Sequence, residues 1–503
     1  MTTNTAGAVT LPSGATYQTE YGHFIGGKWL TGSSGRKIPL NNPATDETIS
    51  YVQAGTGDDV NLAVAAAHKA FPVWSQSSPA ERQYLLAEIA RRLKVRAADY
   101  AMLESLNNGK PVMEAQYFDL IMAVEQFEMF AGAAWGLQGS SINTADSIGI
   151  VHREALGVVA QIIPWNVPLV MLAAKIAPAL AAGNTIVLKP SEIVCLSIME
   201  FFEEMADIIP AGVVNVVTGY GPEVGEPLVT HPKVRKIAFT GSRGTAQKLM
   251  QYASTNIIPQ TLELGGKSAN IVCADADLDA AAEGAAMCVV LNKGEVCLAG
   301  SRVFVHESVK AEFLEKFRSN LSKARIGNPL DASTQQGPQA SKAQYDKILK
   351  YIDIGIAEGA TVFWGGKPLS VPGFEKGYFI EPTIFTDVEN SMRIAQEEIF
   401  GPVSVVISWS DEDELIRMAN DCDYGLGGGL WTKNITRAHR IARALETGTV
   451  WVNRYYNFIS GMPVGGYKQS GFGREYSFEV LNNYTQTKSV IISLDDGVQN
   501  VFS

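Results

Sequence analysis

A cysteine set among small, flexible residues is the first candidate for chemistry in this sequence. Cys297 lies in NKGEVCLAGSR (292–302), where Gly294, Ala299 and Gly300 would let a substrate and backbone amides approach the thiol. A thiol with a pKa of about 8.5 is only a few per cent ionised at neutral pH, yet its thiolate is a strong nucleophile. Free cysteines are also among the most buried residues. Cys297 is therefore a catalytic candidate only if the chain also supplies a base and an oxyanion site.

Two further segments carry side chains of those two kinds. In QTLELGGKSANIV (260–272) a predicted strand brings Glu263 to a double glycine, where a carboxylate could activate water as a general base. The alternative is an ion-paired or helix-capping glutamate. In IIPWNVP (162–168) Asn166 lies in a turn at the carboxyl end of a predicted strand, where α/β sheets bind ligands. Its amide and the Cys297 N–H could hold an oxyanion, although a turn asparagine commonly bonds its own backbone.

Other strand ends have features of a nucleotide site. VLKPSE (187–192) places Lys189 and Glu192 where they could reach a phosphate and a ribose hydroxyl. FTGSRGTAQKL (239–249) ends a strand in glycine and opens a helix, whose N-terminus attracts a pyrophosphate. GYGPEVG (219–225) is a weak signal, because its third glycine comes one place late for the dinucleotide fingerprint. Together these segments favour a dinucleotide binder.

The elements that must position these residues follow from hydrophobic periodicity. Residues 57–130 carry apolar side chains at every third or fourth position, which predicts a helical layer. From 157 onward, short β-branched runs alternate with helical stretches, which predicts a parallel sheet covered on both faces. A second α/β series runs from KSANIV (267–272) to GTVWVN (448–453). Two α/β domains in series predict a cleft in which cofactor and substrate meet.

Two segments belong to neither series and are predicted to be extended arms. They are SINTADSIGIVHRE (141–154) and the C-terminal QTKSVIISL. An arm that cannot satisfy its own backbone usually pairs with something else, so we expect a homodimer or homotetramer.

Composition excludes several classes of function. The formal net charge of −11 over 503 residues is spread along the chain, which argues against nucleic acid or an anionic membrane as partner. The most apolar stretch, 155–174, contains two prolines and Asn166 and is followed by Lys175, so it predicts a buried strand, turn and helix rather than a membrane span. The five cysteines are widely spaced without a C-x-x-C, and the six histidines lack metal-ligand spacing. With no signal peptide evident at the N-terminus, we expect a cytoplasmic protein without a metal.

Taken together and in this order, the segments resemble the NAD(P)-dependent aldehyde dehydrogenases of the non-acylating, hydrolytic branch, over nearly the whole chain. PWN, KPSE, FTGS, LELGGKS, GEVCLAGSR and EEIFGP all fall in register. The resemblance implies an aldehyde dehydrogenase-like α/β fold with two parallel-sheet Rossmann-like domains and a small β oligomerisation arm. The implied boundaries are 20–137 and 157–263 for a cofactor-binding domain, 264–470 for a catalytic domain, 138–156 and 480–503 for oligomerisation arms, and 1–19 for an N-terminal tail.

The resemblance also implies a role for individual residues. The implied catalytic residues are Cys297 as nucleophile, Asn166 as oxyanion donor, Glu263 as the base that activates water, and Lys175 and Glu475 as a proton path. The implied contacts to NAD are Ile162, Pro164, Trp165, Lys189, Ser191, Glu192, Gly221, Gly225, Phe239, Thr240, Gly241, Ser242, Thr245, Leu264, Gly265, Glu398 and Phe400. The implied walls of a substrate tunnel are Val167, Val170, Met171, Ala174, Leu291, Val296, Leu298, Tyr455, Tyr456 and Phe458.

The implied reaction oxidises an aldehyde to the acid through a thiohemiacetal and a thioester on Cys297. Glu192 would repel a 2′-phosphate, so NAD is expected in preference to NADP. No arginine or lysine is evident in the tunnel to bind a substrate carboxylate, so we expect an apolar aliphatic or aromatic aldehyde. The alternatives are a CoA-acylating (semi)aldehyde dehydrogenase and a catalytically silent structural relative. Retention of Glu263 argues against the first, and retention of Cys297 and Asn166 as well argues against the second.

Two residues depart from the usual family pattern. Glu295 stands where most members carry Gln, and a carboxylate close to the nucleophile would raise the thiol pKa. We therefore expect Glu295 to point away from Cys297 or to be neutralised by Lys293. Arg243 replaces the more common acidic residue at the start of the cofactor helix and is expected to bring a positive charge near the nucleotide.

Overall fold

Two separate β-sheets form the centre of the protein in the computed structural model, which describes residues 8–11 and 14–495. The first sheet has eight strands, in the spatial order Gly471–Phe472, Gln260–Glu263, Val234–Thr240, Val158–Ile162, Thr185–Lys189, Val214–Val216, His23–Ile25 and Lys28–Leu30. Its five central strands are parallel, and the outer strands at both edges are antiparallel. Strands such as Val158–Ile162 are buried along their whole length, because helices cover both faces of the sheet.

The second sheet has seven strands. Their spatial order is Thr361–Trp364, Thr383–Thr386, Val403–Trp409, Arg302–His306, Ala269–Val272, Gly427–Trp431 and Thr449–Val452. All neighbours in it are parallel except the first pair. The predicted α/β class with two parallel-stranded sheets is therefore present.

Helices surround both sheets. Those around the first sheet are Gly57–Trp74, Pro79–Val95, Ala97–Asn108, Val112–Glu114, the π-helix Ala115–Asp119, Leu120–Ala133, Pro168–Ala181, Leu196–Met205, the π-helix Gly221–Gly225, Glu226–Thr230 and Arg243–Ala253. Those of the later chain are Leu278–Val290, the 3₁₀ helices Leu291–Gly294, Glu307–Val309 and Phe478–Tyr484, and the α-helices Lys310–Ser322, Lys342–Ala357, Arg393–Gln396, Glu412–Asn420 and Ile435–Ala444. Capping boxes at Thr56 and Ser78 begin the first two helices of the predicted helical layer, where each side chain satisfies a free backbone N–H.

The predicted arms pair with each other within the chain. Thr485–Ser493 runs antiparallel to Ser147–Ala155, which in turn pairs with Ser140–Asn143, so the three strands form one exposed sheet. The backbone groups of these two segments therefore bond across a sequence separation of more than three hundred residues, and their role in oligomerisation stays a prediction. Residues 480–484 of the predicted C-terminal arm belong to a 3₁₀ helix, and 496–503 lie outside the described residues.

Smaller sheets complete the fold. Glu20–Tyr21, Glu47–Gln53 and Lys37–Asn42 form one of three strands, and two strand pairs join Ala8–Thr10 with Thr16–Gln18 and Tyr424–Gly425 with Tyr467–Lys468. The predicted N-terminal tail thus contains a hairpin in its described part, while 1–7 and 12–13 lie outside the description.

The apolar stretch 155–174 forms a buried strand, a turn and the start of the helix Pro168–Ala181, as predicted. Among the described residues, 8–11 and 14–495, no helix combines the length and the apolar character needed to cross a bilayer.

Candidate active site

Cys297, Glu263 and Asn166 lie on the wall of one cavity of about 80 Å³. Glu263 ends a strand of the first sheet, and Asn166 follows another strand of that sheet, so the parallel order brings both to the same edge. Cys297 comes from the loop that precedes the strand Arg302–His306 of the second sheet. The convergence of these three side chains, expected from the sequence, is present in the structure.

Cys297 is the accessible thiol of the chain. All five cysteines lie within the described residues, and Cys297 is half-buried while the other four are buried. Burial, followed by the negative charges of Glu398 and Glu263, raises the pKa of the Cys297 thiol to about 12. At neutral pH the thiol therefore keeps its proton in the free protein.

Glu263 is a buried carboxyl group with an unused oxygen. Its Oε1 has no hydrogen-bond partner among the described residues. Burial raises its pKa well above the ordinary value, the charge of Glu475 adds to this, and Lys175 and Arg474 oppose it. Glu475 is itself on the cavity wall and forms an ion pair with Lys175, at 2.5 Å from Oε1 to Nζ. Glu263 thus has a raised affinity for a proton and lies next to a buried pair of opposite charges.

Asn166 connects the first sheet to the nucleophile loop. Its Nδ2 donates to the backbone carbonyl of Glu295 at 2.9 Å, and its own carbonyl accepts from Asn292 Nδ2 at 2.9 Å. A carboxamide has two N–H donors. One of them holds the loop, which leaves the other for the cavity that the side chain lines.

The Glu295 side chain turns away from the cavity. Its Oε2 lies 3.1 Å from Lys293 Nζ, and its Oε1 accepts from the Ala340 N–H at 3.1 Å. Both members of the pair are fully buried. The expectation that Lys293 neutralises this carboxylate is confirmed by the ion pair.

Most of the predicted tunnel residues lie on the cavity wall. Those that do are Val167, Val170, Met171, Leu291, Val296, Leu298, Tyr456 and Phe458. Ala174 and Tyr455 do not. Ala174 lies one helical turn deeper than Val170, in the core beneath the first sheet, and Tyr455 packs into the core with its hydroxyl bonded to the Leu298 carbonyl at 2.9 Å.

The sequence prediction missed part of this wall. Phe118, Met122, Val464, Leu426 and Tyr476 complete its apolar surface. Met122, Phe458, Val464 and Tyr476 also line an outer cavity of about 470 Å³, so the two cavities are neighbours. Phe118 and Met122 are four residues apart, a spacing that puts both on one side of a helix. This spacing is the feature of the sequence from which the two wall residues could have been predicted.

A crevice of about 360 Å³ lies at the carboxyl ends of the first sheet. It contains thirteen of the predicted cofactor contacts: Ile162, Pro164, Trp165, Lys189, Ser191, Glu192, Gly221, Gly225, Phe239, Thr240, Gly241, Ser242 and Thr245. Thr240 also lines the reaction cavity, so the two spaces adjoin. The crevice residues that were not predicted are Ile163, Pro222, Glu226, Lys248, Leu249 and Tyr252.

The other four predicted contacts lie outside the crevice. Leu264 is on the wall of the reaction cavity. Glu398 lies against Gly265, where an added Cβ would come within 2.2 Å of Oε2, and it accepts from the Gly266 N–H at 2.9 Å. Phe400 packs edge-on against Trp165, with ring centroids 5.4 Å apart.

Two charged side chains near the crevice are paired. Lys189 Nζ lies 3.1 Å from Glu192 Oε2. Arg243 donates to Asp423 at 2.8 Å and lies over the Tyr424 ring. Arg243 therefore binds the later part of the chain and is not on the crevice wall, in contrast to the charge that we expected near the nucleotide.

Comparison with known proteins places this geometry in a family. The aldehyde dehydrogenase family model matches residues 29–490. An aldehyde dehydrogenase of Deinococcus radiodurans is 45% identical over 97% of this chain and 96% of its own length, and a long-chain-aldehyde dehydrogenase of an Acinetobacter species is 44% identical over 97% of each. The solved NAD⁺ complex of a Bacillus cereus aldehyde dehydrogenase has a TM-score of 0.92 at 41% identity, covering 95% of this chain and 97% of that one. The chain belongs to the aldehyde dehydrogenase family.

Proposed function

We propose that this protein oxidises apolar aldehydes to carboxylic acids, with NAD⁺ as hydride acceptor and Cys297 as nucleophile. The observation that carries the proposal is the common cavity of Cys297, Glu263 and Asn166, which adjoins the crevice at Thr240. A thiol, a carboxyl group and an amide around an apolar space can add to a carbonyl, hold the resulting charge and then activate water.

The first half of the reaction uses the thiol and the amide. The sulfur of Cys297 adds to the aldehyde carbon, and the thiol proton passes to the Glu263 carboxylate on the same cavity wall. Negative charge develops on the aldehyde oxygen, where the Asn166 amide and the Cys297 N–H can donate to it. The crevice residues would hold NAD⁺, which would supply the hydride acceptor for the tetrahedral carbon, so that an acyl thioester of Cys297 would remain.

The second half uses the carboxyl group. Glu263 removes a proton from water, the hydroxide adds to the thioester carbonyl, and the carbon–sulfur bond breaks to release the acid. Because burial and Glu475 raise the pKa of Glu263, it must first lose its own proton. The adjacent Glu475 carboxylate, which is held by its ion pair with Lys175, is the group placed to receive that proton.

The crevice residues fit a dinucleotide. Ser242 caps the N-terminus of the eleven-residue helix Arg243–Ala253, and the free N–H groups there favour a phosphate. Gly241 and Gly225 leave the backbone bare at the crevice wall. The Glu192 carboxylate suits a ribose diol and would repel a 2′-phosphate, which favours NAD⁺ over NADP⁺. The NAD⁺ in the Bacillus cereus relative supports the same cofactor.

The cavity wall favours an apolar substrate. Among the described residues, no lysine or arginine lies on it, and its surface comes mainly from aliphatic and aromatic side chains. The outer cavity beyond Phe458 and Met122 gives an extended chain further apolar contact through Trp451 and Ile459. The long-chain-aldehyde dehydrogenase among the relatives supports this class of substrate.

A series of straight-chain aldehydes tests the proposal. NADH absorbance is followed with NAD⁺, without CoA, for chains from two to ten carbons. Each buried methylene contributes about 0.8 kcal/mol, so kcat/KM should rise about fourfold per carbon until the wall is fully covered. Cys297→Ala should abolish the signal. A preference for betaine aldehyde or succinic semialdehyde would refute the apolar substrate, and a strict need for CoA would favour acyl transfer to CoA over hydrolysis.

A further inference from the structure

Lys293 is a fully buried lysine in the loop that carries the nucleophile. Its ammonium group has three N–H donors, and three acceptors surround it. They are the Asn108 side-chain Oδ1 at 2.5 Å, the Asn108 backbone carbonyl at 3.1 Å and Glu295 Oε2 at 3.1 Å. The buried cation therefore donates two hydrogen bonds to Asn108 and forms an ion pair with Glu295.

Asn108 connects this lysine to the Asn166 turn. It ends the helix Ala97–Asn108, is fully buried, and donates through Nδ2 to the carbonyls of Trp165 at 3.0 Å and Asn166 at 3.4 Å. The Asn166 amide in turn donates to the carbonyl of Glu295. Lys293, Asn108, Asn166 and Glu295 thus form a closed ring around the turn, in which three links are hydrogen bonds and the Lys293–Glu295 link is an ion pair.

The backbone of the nucleophile loop needs such support. Asn292 and Lys293 have φ values of 44° and 59°, in the left-handed region that side chains other than glycine rarely adopt. Conformations of this kind persist where surrounding contacts hold them, and they cluster at functional sites. Here the contacts are those of the Lys293 ammonium group and of Asn292, which bonds Asn166 and Glu295 through Nδ2.

From this geometry, and resting on the proposed function, we propose that Lys293 and Asn108 are positioning residues that hold the Asn166 amide at the oxyanion site. Neither residue lines the reaction cavity, so they act through Asn166. A displacement of a reacting group by about 1 Å costs on the order of a hundredfold in rate. Loss of the ring should therefore lower kcat by about ten- to a hundredfold, and leave KM for NAD⁺ within about threefold.

Two variants separate positioning from stability. Lys293→Met keeps the aliphatic stem but leaves the Glu295 carboxylate buried without its cation, so it is combined with Glu295→Gln to remove that charge. Asn108→Asp keeps oxygens for Lys293 and forms a charge pair with it, but loses the donor to Trp165 and Asn166. Lys342→Met removes an exposed lysine paired with Asp346 and is the matched control.

Each variant is assayed for Tm, for kcat and KM with an apolar aldehyde, and for alkylation of Cys297 by iodoacetamide. We expect both the Lys293→Met, Glu295→Gln double variant and Asn108→Asp to stay folded. Their rates of Cys297 alkylation should lie within about threefold of the wild-type rate, and their kcat should show the ten- to about hundredfold loss. Wild-type kcat in the double variant, or in Asn108→Asp, would overturn the positioning role. A wild-type protein that forms no NADH from any aldehyde would instead refute the proposed function.

Discussion

The Cys297 thiol of the free protein should react slowly with alkylating agents at neutral pH. Burial, Glu398 and Glu263 raise its pKa to about 12, so about one molecule in 10⁵ is ionised at pH 7, against about 3% of an ordinary cysteine with a pKa near 8.5. The deficit in thiolate is about 3,000-fold. A more basic thiolate is a better nucleophile. With a Brønsted slope of about 0.4–0.5, each thiolate should react about 25- to 55-fold faster, which offsets part of the deficit. The net expectation is a rate about a hundredfold below that of a free cysteine.

The assay is the rate of iodoacetamide modification of the cofactor-free protein between about pH 6.5 and pH 10, with mass spectrometry to locate the label. Below its pKa a thiol gains tenfold in thiolate for each pH unit, so the rate should rise tenfold per unit without a plateau. Cys297→Ala should remove the labelling, since the other four cysteines are buried. A plateau below about pH 9 would refute the reasoning, because it would show a thiolate already stabilised in the free protein.

A charge deletion tests the cause of the raised pKa. Among the neighbouring charges Glu398 contributes the most to the thiol pKa, after burial. Glu398→Gln keeps an oxygen for the Gly266 N–H but removes the negative charge, so the pKa should fall and alkylation at a fixed pH should become two- to about tenfold faster. Glu312→Gln, on the exposed surface of a helix, is the control. An unchanged rate in Glu398→Gln would exclude Glu398 as a cause and leave burial and Glu263 to account for the raised pKa.

Three further substitutions test the site. Asn166→Ala removes one oxyanion donor and should lower kcat by about a hundred- to a thousandfold, measured as NADH formation in a single turnover. Glu192→Gln removes the charge that repels a 2′-phosphate, so the ratio of kcat/KM for NADP⁺ to that for NAD⁺ should rise; an unchanged ratio would show that Glu192 does not select the cofactor. Lys175→Met leaves the Glu475 carboxylate buried without its cation, so the free energy of unfolding measured in urea should fall by about 3–5 kcal/mol. Adding Glu475→Gln removes the unpaired charge and should restore most of that free energy.

The hydrophobic pattern of the sequence was sufficient to predict the buried parallel strands and the residues at their ends. Buried β-branched runs such as Val158–Ile162 predicted parallel strands, and the ends of those strands placed Asn166 and Glu263 at one edge. The aldehyde dehydrogenase resemblance, confirmed by the family model over 29–490, then placed Cys297 opposite them. Long-range pairing was not available from pattern alone. The arm strand Thr485–Ser493 pairs with Ser147–Ala155 of the same chain. The sequence of neither segment identifies the other as its partner.

The directions in which individual side chains point could also not be predicted from the sequence. Ala174 and Tyr455 were expected on the tunnel wall, yet both lie in the core, because their orientation depends on what packs behind them. The positive φ of Asn292 and Lys293 was not predicted either, since lysine has no preference for that conformation. These two residues hold the nucleophile loop in place through contacts from Asn108 and Asn166, which are distant in sequence.

The carboxylate of Glu295 shows why position along the chain is a poor guide to electrostatics. It lies two residues before Cys297, yet Glu398 and Glu263 supply the negative charges that raise the thiol pKa. The Glu295 backbone carbonyl faces Asn166 while its side chain extends to Lys293 and Ala340, and the buried lysine cancels its charge. A buried ion pair is seldom more stabilising than apolar residues of the same volume. Its presence beside the nucleophile is therefore better explained by the geometry it imposes, because the same cation also holds Asn108, and Asn108 holds the Asn166 turn.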